Sequence, residues 1–197
     1  TLSHPEIAEV PADTPEDEEV DLEADDEKQI VYHHCYCPSA PGVYPLVFDL
    51  IDEIVEVVRP ERFVHLGHDE VYQIGSCPRC RELDKAALFA EDVRKLDEHV
   101  KSKGLRSMIW ADMLQPNRNY GTEDAIDAIP EDIVLLDFVW YFYPEEDIED
   151  HLLAKDRTVI MGNLYSSHYT RFATRIRKPG MIGGEVSTWK RVDERTL

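Results

Sequence analysis

The sequence is short of positive charge. Against 41 aspartates and glutamates stand 21 lysines and arginines, a formal net charge of -20 over 197 residues. A surface of that sign repels nucleic acid and anionic membrane, and neither is expected as a partner. The chain also lacks any apolar run near the ~18 residues that a membrane span needs. No hydrophobic leader is read at its start, and the compartment is left open with a slight preference for the cytoplasm. Gly-x-Gly-x-x-Gly and Walker-type loops are missing, which removes the usual grips on dinucleotides and nucleotides. Cysteine is scarce: four residues, arranged as Cys35-x-Cys37 and Cys77-x-x-Cys80, do not make the framework of a small disulfide-stapled domain. A chain of this length is one domain or a piece of one, and it can bury a sizeable core.

Aromatic residues are absent from the first 29 positions, which hold 12 acidic residues and a single basic one, Lys28, with Pro5, Pro11 and Pro15 breaking any period. This composition predicts a disordered or loosely held acidic segment over 1–29, a solvated loop or insertion, with a protein-binding arm as the alternative. Its removal is expected to leave the fold intact. The folded domain is expected over 30–197.

From Val43 onward the chain is periodic. Leu46, Leu50, Ile51, Ile54, Val57 and Val58 recur at helical spacing over 43–58, and Pro60 ends the run. A short β-type run, Phe63 to Leu66, comes next. A helix is expected from Arg81 to Lys103, with Leu83, Leu88, Val93, Leu96 and Val100 as its apolar stripe and Gly104 as its stop. Then come a strand from Leu105 to Met113, a short helix to Ala128 capped by Thr122, and an apolar strand from Ile133 to Trp140. A helix from Glu145 to Lys155 and strands Thr158–Asn163 and Met181–Val186 complete the order. Strands alternating with helices predict a parallel sheet with helical crossovers, an α/β fold. Periodicity alone leaves an open doubly wound sheet and a barrel segment as alternatives.

The densest chemistry lies in Arg62 to Tyr72. The strand stops at Gly67, and two adjacent carboxylates come after it, Asp69 and Glu70. Carboxylates just past a buried strand sit where loops carry function, and each perturbs the other's protonation; the bland alternative is a solvated acidic turn. The cysteines make a second candidate. In a parallel βα arrangement the loops bearing Cys35 and Cys37, and Cys77 and Cys80, emerge side by side. Four thiolates there suit a structural zinc ion, with His33 or His34 as substitute ligands; buried free thiols and a disulfide are the alternatives.

The run His65, Gly67, Asp69, Glu70 resembles the His-x-Gly-x-Asp-Glu signature of family-20 glycoside hydrolases, the β-N-acetylhexosaminidases. In that family the run closes the fourth strand of a (β/α)8 barrel. Further likenesses keep the family's order from about Val31 onward. Cys37-Pro38-Ser39 and the helix after it resemble its approach to strand four, and Met108-Ile109-Trp110-Ala111-Asp112-Met113 its strand five. Val139-Trp140 resembles the end of strand six, Leu164-Tyr165 the tyrosine after strand seven, and Gly183-Gly184-Glu185 with Trp189 strand eight. The resemblance implies a partial barrel, strands four to eight, since a full one takes about 250 residues.

It also implies a carbohydrate substrate, removal of terminal N-acetylhexosamine, and no cofactor for the reaction. Catalysis in this family is substrate-assisted: the sugar's own acetamido oxygen attacks the anomeric carbon. Asp69 is then the residue that orients the acetamido group, and Glu70 the general acid and base. Trp110, Trp140, Tyr165 and Trp189 are the expected substrate contacts, and His68 is expected either to reach substrate or to cap the turn. The chain departs from the pattern in three places. Strands one to three and the first strand's sugar-gripping arginine have no counterpart; Ser167 stands where the family usually has an aspartate, and Arg191 where it has a glutamate. These departures support the alternative of a carbohydrate-binding or interaction module that keeps the fold without turnover. Two open sheet edges would also favour a homo-oligomer, or a missing barrel half supplied by a longer protein.

Overall fold

A computed structural model describes residues 3–10, 35–116, 118–138, 147–163 and 171–186. Trp140, Tyr165, Ser167, Trp189 and Arg191, with His33 and His34, lie outside these residues. The described residues contain five strands: β1 (Phe63–His65), β2 (Arg106–Trp110), β3 (Val134–Asp137), β4 (Thr158–Asn163) and β5 (Met181–Val186). All neighbours are parallel, and the order across the sheet is the order along the chain. Helices α1 (Val43–Val58), α2 (Lys85–Ser102), α3 (Glu149–Leu153) and α4 (Phe172–Arg175) punctuate it. The expected α/β fold is therefore present, with β1 and β5 as its two edges.

Elements begin and end where backbone chemistry requires. The Asp84 carboxylate accepts a 2.7 Å bond from Ala87 N–H and caps α2, so the helix starts at Lys85 rather than at the expected Arg81. Gly104, at φ 76, lies just past its end. Thr122 does not cap; its hydroxyl donates to the Met113 carbonyl at 2.7 Å, and the segment after it, Glu123–Asp127, is 3-10 rather than α-helical.

The core lies between the sheet and the helices outside it. Phe89 and Val93 of α2 pack with Ile109 of β2, Ile126, and Leu135 of β3. Every residue of β3 is buried, as expected of a central strand covered on both faces. Under α1 a second cluster joins Ile51, Val64, Leu96 and Val100. The apolar stripe of α1 is wider than the face it buries. Ile51 is 7% exposed, whereas Leu50, Ile54, Val57 and Val58 are 51–75% exposed. The reason is position: α1 flanks the edge strand β1, and among the described residues no strand lies beyond it.

The acidic start of the chain is not set apart as its composition implied. A 3-10 turn at Pro5–Ile7 leads into a bridge between Ala8 and Tyr36, Ile7 is buried, and the Glu9 carboxylate accepts from Gly75 and Cys77 N–H groups. Two side chains thus anchor residues 7–9 to the domain, and the expectation that the whole of 1–29 has little to bury fails for them.

At the far end of the sheet, a buried ionic network holds α3 and α4. Arg175 donates through Nε to Glu149 at 3.0 Å and through Nη2 at 2.6 Å, with Asp137, at the end of β3, 3.7 Å away. Lys178 reaches Asp147, Glu149 and Asp150 at 2.5–2.8 Å. Burial opposes ionisation of Glu149, but its two cationic partners hold the carboxyl below the usual range.

Candidate active site

The site is built at the carboxyl end of β1, where the chain turns sharply. Leu66 N–H still bonds Met108 O at 2.8 Å, and Trp110 N–H bonds Gly67 O at 2.9 Å, so the sheet persists to Gly67. Beyond it Gly67, His68 and Glu70 all have left-handed backbone, at φ 78, 70 and 50. Two of these are not glycine, and such conformations persist only when neighbours hold them.

The holding contacts are visible. The Asp112 carboxylate, just past β2, accepts the Glu70 N–H at 2.9 Å. His68 places Nε2 2.9 Å from Asp92 of α2 and Nδ1 3.3 Å from the Leu66 carbonyl, with its ring edge-on to Phe89. Asp92 in turn accepts from the hydroxyls of Tyr36 at 2.7 Å and Tyr44 at 3.0 Å. His68 was expected to reach substrate or to cap the turn. Its side chain is 6% exposed and both ring nitrogens are engaged, so it fastens the turn to α2 while bordering the cavity described below.

Asp112 is fully buried. Burial pushes its carboxyl up to about 8, and the Asp69 and Glu70 charges add to the effect, while the Glu70 N–H pulls the other way. A protonated Asp112 therefore sits behind the Asp69–Glu70 pair at neutral pH.

Successive residues of a strand face opposite ways. Val64 faces α1 and α2, so His65 projects to the other face of the sheet, where its ring meets Trp110 edge-on at 5.0 Å. Trp110 also lies 5.2 Å from Phe138 and extends over Gly162 of β4, where an added Cβ would meet the indole at 3.0 Å. Burial holds the His65 imidazole below its usual range, and the Glu185 and Asp69 carboxylates oppose this. Glu185 is on β5 and His65 on β1, the two edge strands of the sheet. His65 nevertheless keeps contact with solvent.

A cavity of about 560 Å³ opens beside this turn, within the range of small-molecule sites. Leu50, Ile51 and Ile54 of α1, Phe89, Asp92 and Leu96 of α2, and Val64, His65, His68, Asp69 and Glu70 line it, so it extends largely along the helix-covered side of β1, and Trp110 is not in its lining. Of the expected site residues, the structure thus brings Asp69 and Glu70 to one wall and sets Trp110 on the same face of the sheet as His65. Trp140, Tyr165 and Trp189 fall outside the described residues.

The cysteines are only partly gathered. Cys37, Cys77 and Cys80 form a buried group with Glu9, whereas Cys35 belongs to the main core and turns its thiol toward the Tyr36 carbonyl. Of the expected set Cys35, Cys37, Cys77 and Cys80, three are brought together, with Glu9 rather than Cys35 beside them.

Sequence reading missed Asp92, Asp112 and Glu9. Asp92 had a signal, since it lies on the α2 face that carries Phe89, Val93 and Leu96, where a carboxylate needs partners. Asp112 stood inside the quoted Trp110-Ala111-Asp112 run without a role. Glu9 had none, being one acid among twelve in 1–29.

Comparison with curated protein sequences returns no match. Two solved structures are similar. A β-N-acetylhexosaminidase from Bacteroides fragilis NCTC 9343 aligns at 20% identity and TM-score 0.46, covering 64% of this chain and 25% of that one. Dispersin B aligns at 16% identity and TM-score 0.47, covering 78% of this chain and 53% of that one. The chain therefore spans between about a quarter and about half of the length of these structures. The family described as "Glycosyl hydrolase family 20, catalytic domain" matches residues 4–192. That match takes in nearly the whole chain, the buried Glu9 as well as the Asp69–Glu70 turn, and the protein belongs to glycosyl hydrolase family 20.

Proposed function

We propose that the protein is a glycosidase that removes terminal N-acetylhexosamine residues with retention, Asp69 and Glu70 being its catalytic pair. The observation that carries this reading is the Asp69–Glu70 turn itself: two adjacent carboxylates at the carboxyl end of a parallel strand, in a left-handed backbone clamped by Asp112 and bordering a cavity.

In this reading Asp69 accepts the N–H of the substrate's acetamido group and aligns its oxygen for attack on the anomeric carbon. The positive charge that develops on the oxazolinium ring is then stabilised by the carboxylate. Glu70 gives its proton to the leaving oxygen and takes one from the water that opens the ring. Asp112 serves both by fixing the peptide between them. In its neutral form it also avoids placing a third negative charge against the pair. Trp110 offers an apolar face to the sugar, and Trp140, Tyr165 and Trp189 are assigned to the remaining wall by their family positions.

The test is hydrolysis of 4-nitrophenyl N-acetyl-β-D-glucosaminide and its galactosaminide counterpart by the 197-residue chain, with Glu70→Gln alongside. Release of nitrophenol that disappears in the variant supports the reading. Equal rates for both proteins would defeat it.

A further inference from the structure

We propose that Glu9, Cys37, Cys77 and Cys80 bind one zinc ion at a structural site tying the N-terminal segment to the loop between β1 and α2. The proposal is independent of the glycosidase reading.

Two observations meet here. The first is the donor set. Cys37 Sγ lies 3.3 Å from Cys77 Sγ and 3.4 Å from Cys80 Sγ, and a carboxylate oxygen of Glu9 lies within 4.8 Å of all three sulfurs. All four residues are buried. Three thiolates select a soft ion such as zinc over magnesium or calcium, and four protein donors complete a tetrahedral set, the mark of a structural rather than catalytic site. Zinc–sulfur distances of about 2.3 Å place tetrahedral sulfurs about 3.8 Å apart, so the cluster has to open by only about 0.4 Å.

The second is the burial of the Glu9 carboxyl. It is 3% exposed, and among the described residues it has no ion-pair partner. Its oxygens accept from Gly75 N–H at 3.2 Å and Cys77 N–H at 2.9 Å. Two amide hydrogen bonds orient a buried carboxylate but do not replace the hydration of a full charge; a divalent cation does. A disulfide serves the arrangement less well. Cys37 is almost equally distant from both other sulfurs, and pairing with either strands the third thiol and the carboxylate together. Cys35 is no ligand, because it packs in the main core and its thiol is turned to the Tyr36 carbonyl.

The 197-residue chain, treated with a chelator and then titrated with cobalt(II) as the probe, should develop thiolate-to-cobalt charge-transfer absorption and the visible bands of a tetrahedral site. The signal should saturate at one metal per chain and be bleached by zinc. Cys35→Ser should titrate as the parent does. Cys77→Ser and Glu9→Gln should bind at least tenfold more weakly. The proposal is overturned if the parent chain shows no thiolate charge transfer, if its unreduced mass is two hydrogens light, or if Cys35→Ser loses metal as fully as Cys77→Ser. The parent spectrum and mass require no variant to fold.

Discussion

Two ends of one sheet treat buried carboxylates in opposite ways. Beyond β3 and β4, Glu149 is buried against Arg175 and Lys178, and the cations keep it ionised. Beyond β1 and β2, Asp112 is also buried, but the described residues offer it an amide and two neighbouring acids instead of a cation, and its carboxyl is pushed up to about 8. The first arrangement uses its charges for geometry, clamping the short helices α3 and α4. The second leaves protonation responsive to whatever enters beside it. Direct pairing with two cations is what sets Glu149 apart, since Asp137 in the same network, 3.7 Å from Arg175, is pushed well above the usual carboxylate range by burial and the Glu149 charge.

The contrast can be broken at either end. Glu70→Gln should lower hexosaminide turnover by about 10²–10⁴-fold with little change in melting temperature; a stability loss matching the activity loss would make Glu70 a structural residue. Arg175→Met leaves Glu149 and Asp137 buried beside fewer cations and should cost about 3–5 kcal/mol in denaturant unfolding. Asp112→Asn sharpens the comparison through pH. The folded carboxyl sits near 8 against an ordinary value of 3.8, so the folded state binds the extra proton. Its stabilising contribution is complete below about pH 4 and is lost as pH rises through about 8. The variant carries no titrating carboxyl at this position, so it should lie closest to the parent below about pH 4 and gain on it by about 1.4 kcal/mol per pH unit from about pH 4 to about pH 8; parallel stability–pH curves would refute this. The smallest effect belongs to Tyr44→Phe, which removes one of the hydrogen bonds to Asp92 and should cost about 1 kcal/mol, measured by urea unfolding.

Much of this was legible in the residues. The helix over Val43–Val58 and the strands Thr158–Asn163 and Met181–Val186 were read with their observed limits, because periodicity and strong stops coincide there. The start of α2 was misplaced because Asp84, an effective cap, was passed over for charged residues that merely suit a helix. The open half of α1 was unreadable, since an apolar stripe does not say how much of it will find a partner. The Asp69–Glu70 pair stood out through its neighbours in sequence, whereas its support comes from Asp112 and, through His68, Asp92, which are close only in space. Glu9 shows the limit most plainly: a composition that describes 1–29 as solvated hides one buried carboxylate.

The agreement between strand order and chain order has a consequence for assembly in time. Each strand needs only its immediate predecessor, so the sheet can be laid down unit by unit as the chain emerges. The pairs Phe63–Arg106, Met108–Val134, Val134–Thr158 and Val159–Met181 enclose successively shorter loops. Halving a loop saves about 0.6 kcal/mol of closure entropy, so the segment that carries Asp69 and Glu70 closes the most expensive loop in the sheet. It is also an edge strand of only three residues. Its docking therefore leans on contacts outside the ladder, and slow amide exchange at β1 would register how well Glu9, the cysteines and Asp92 hold it in place.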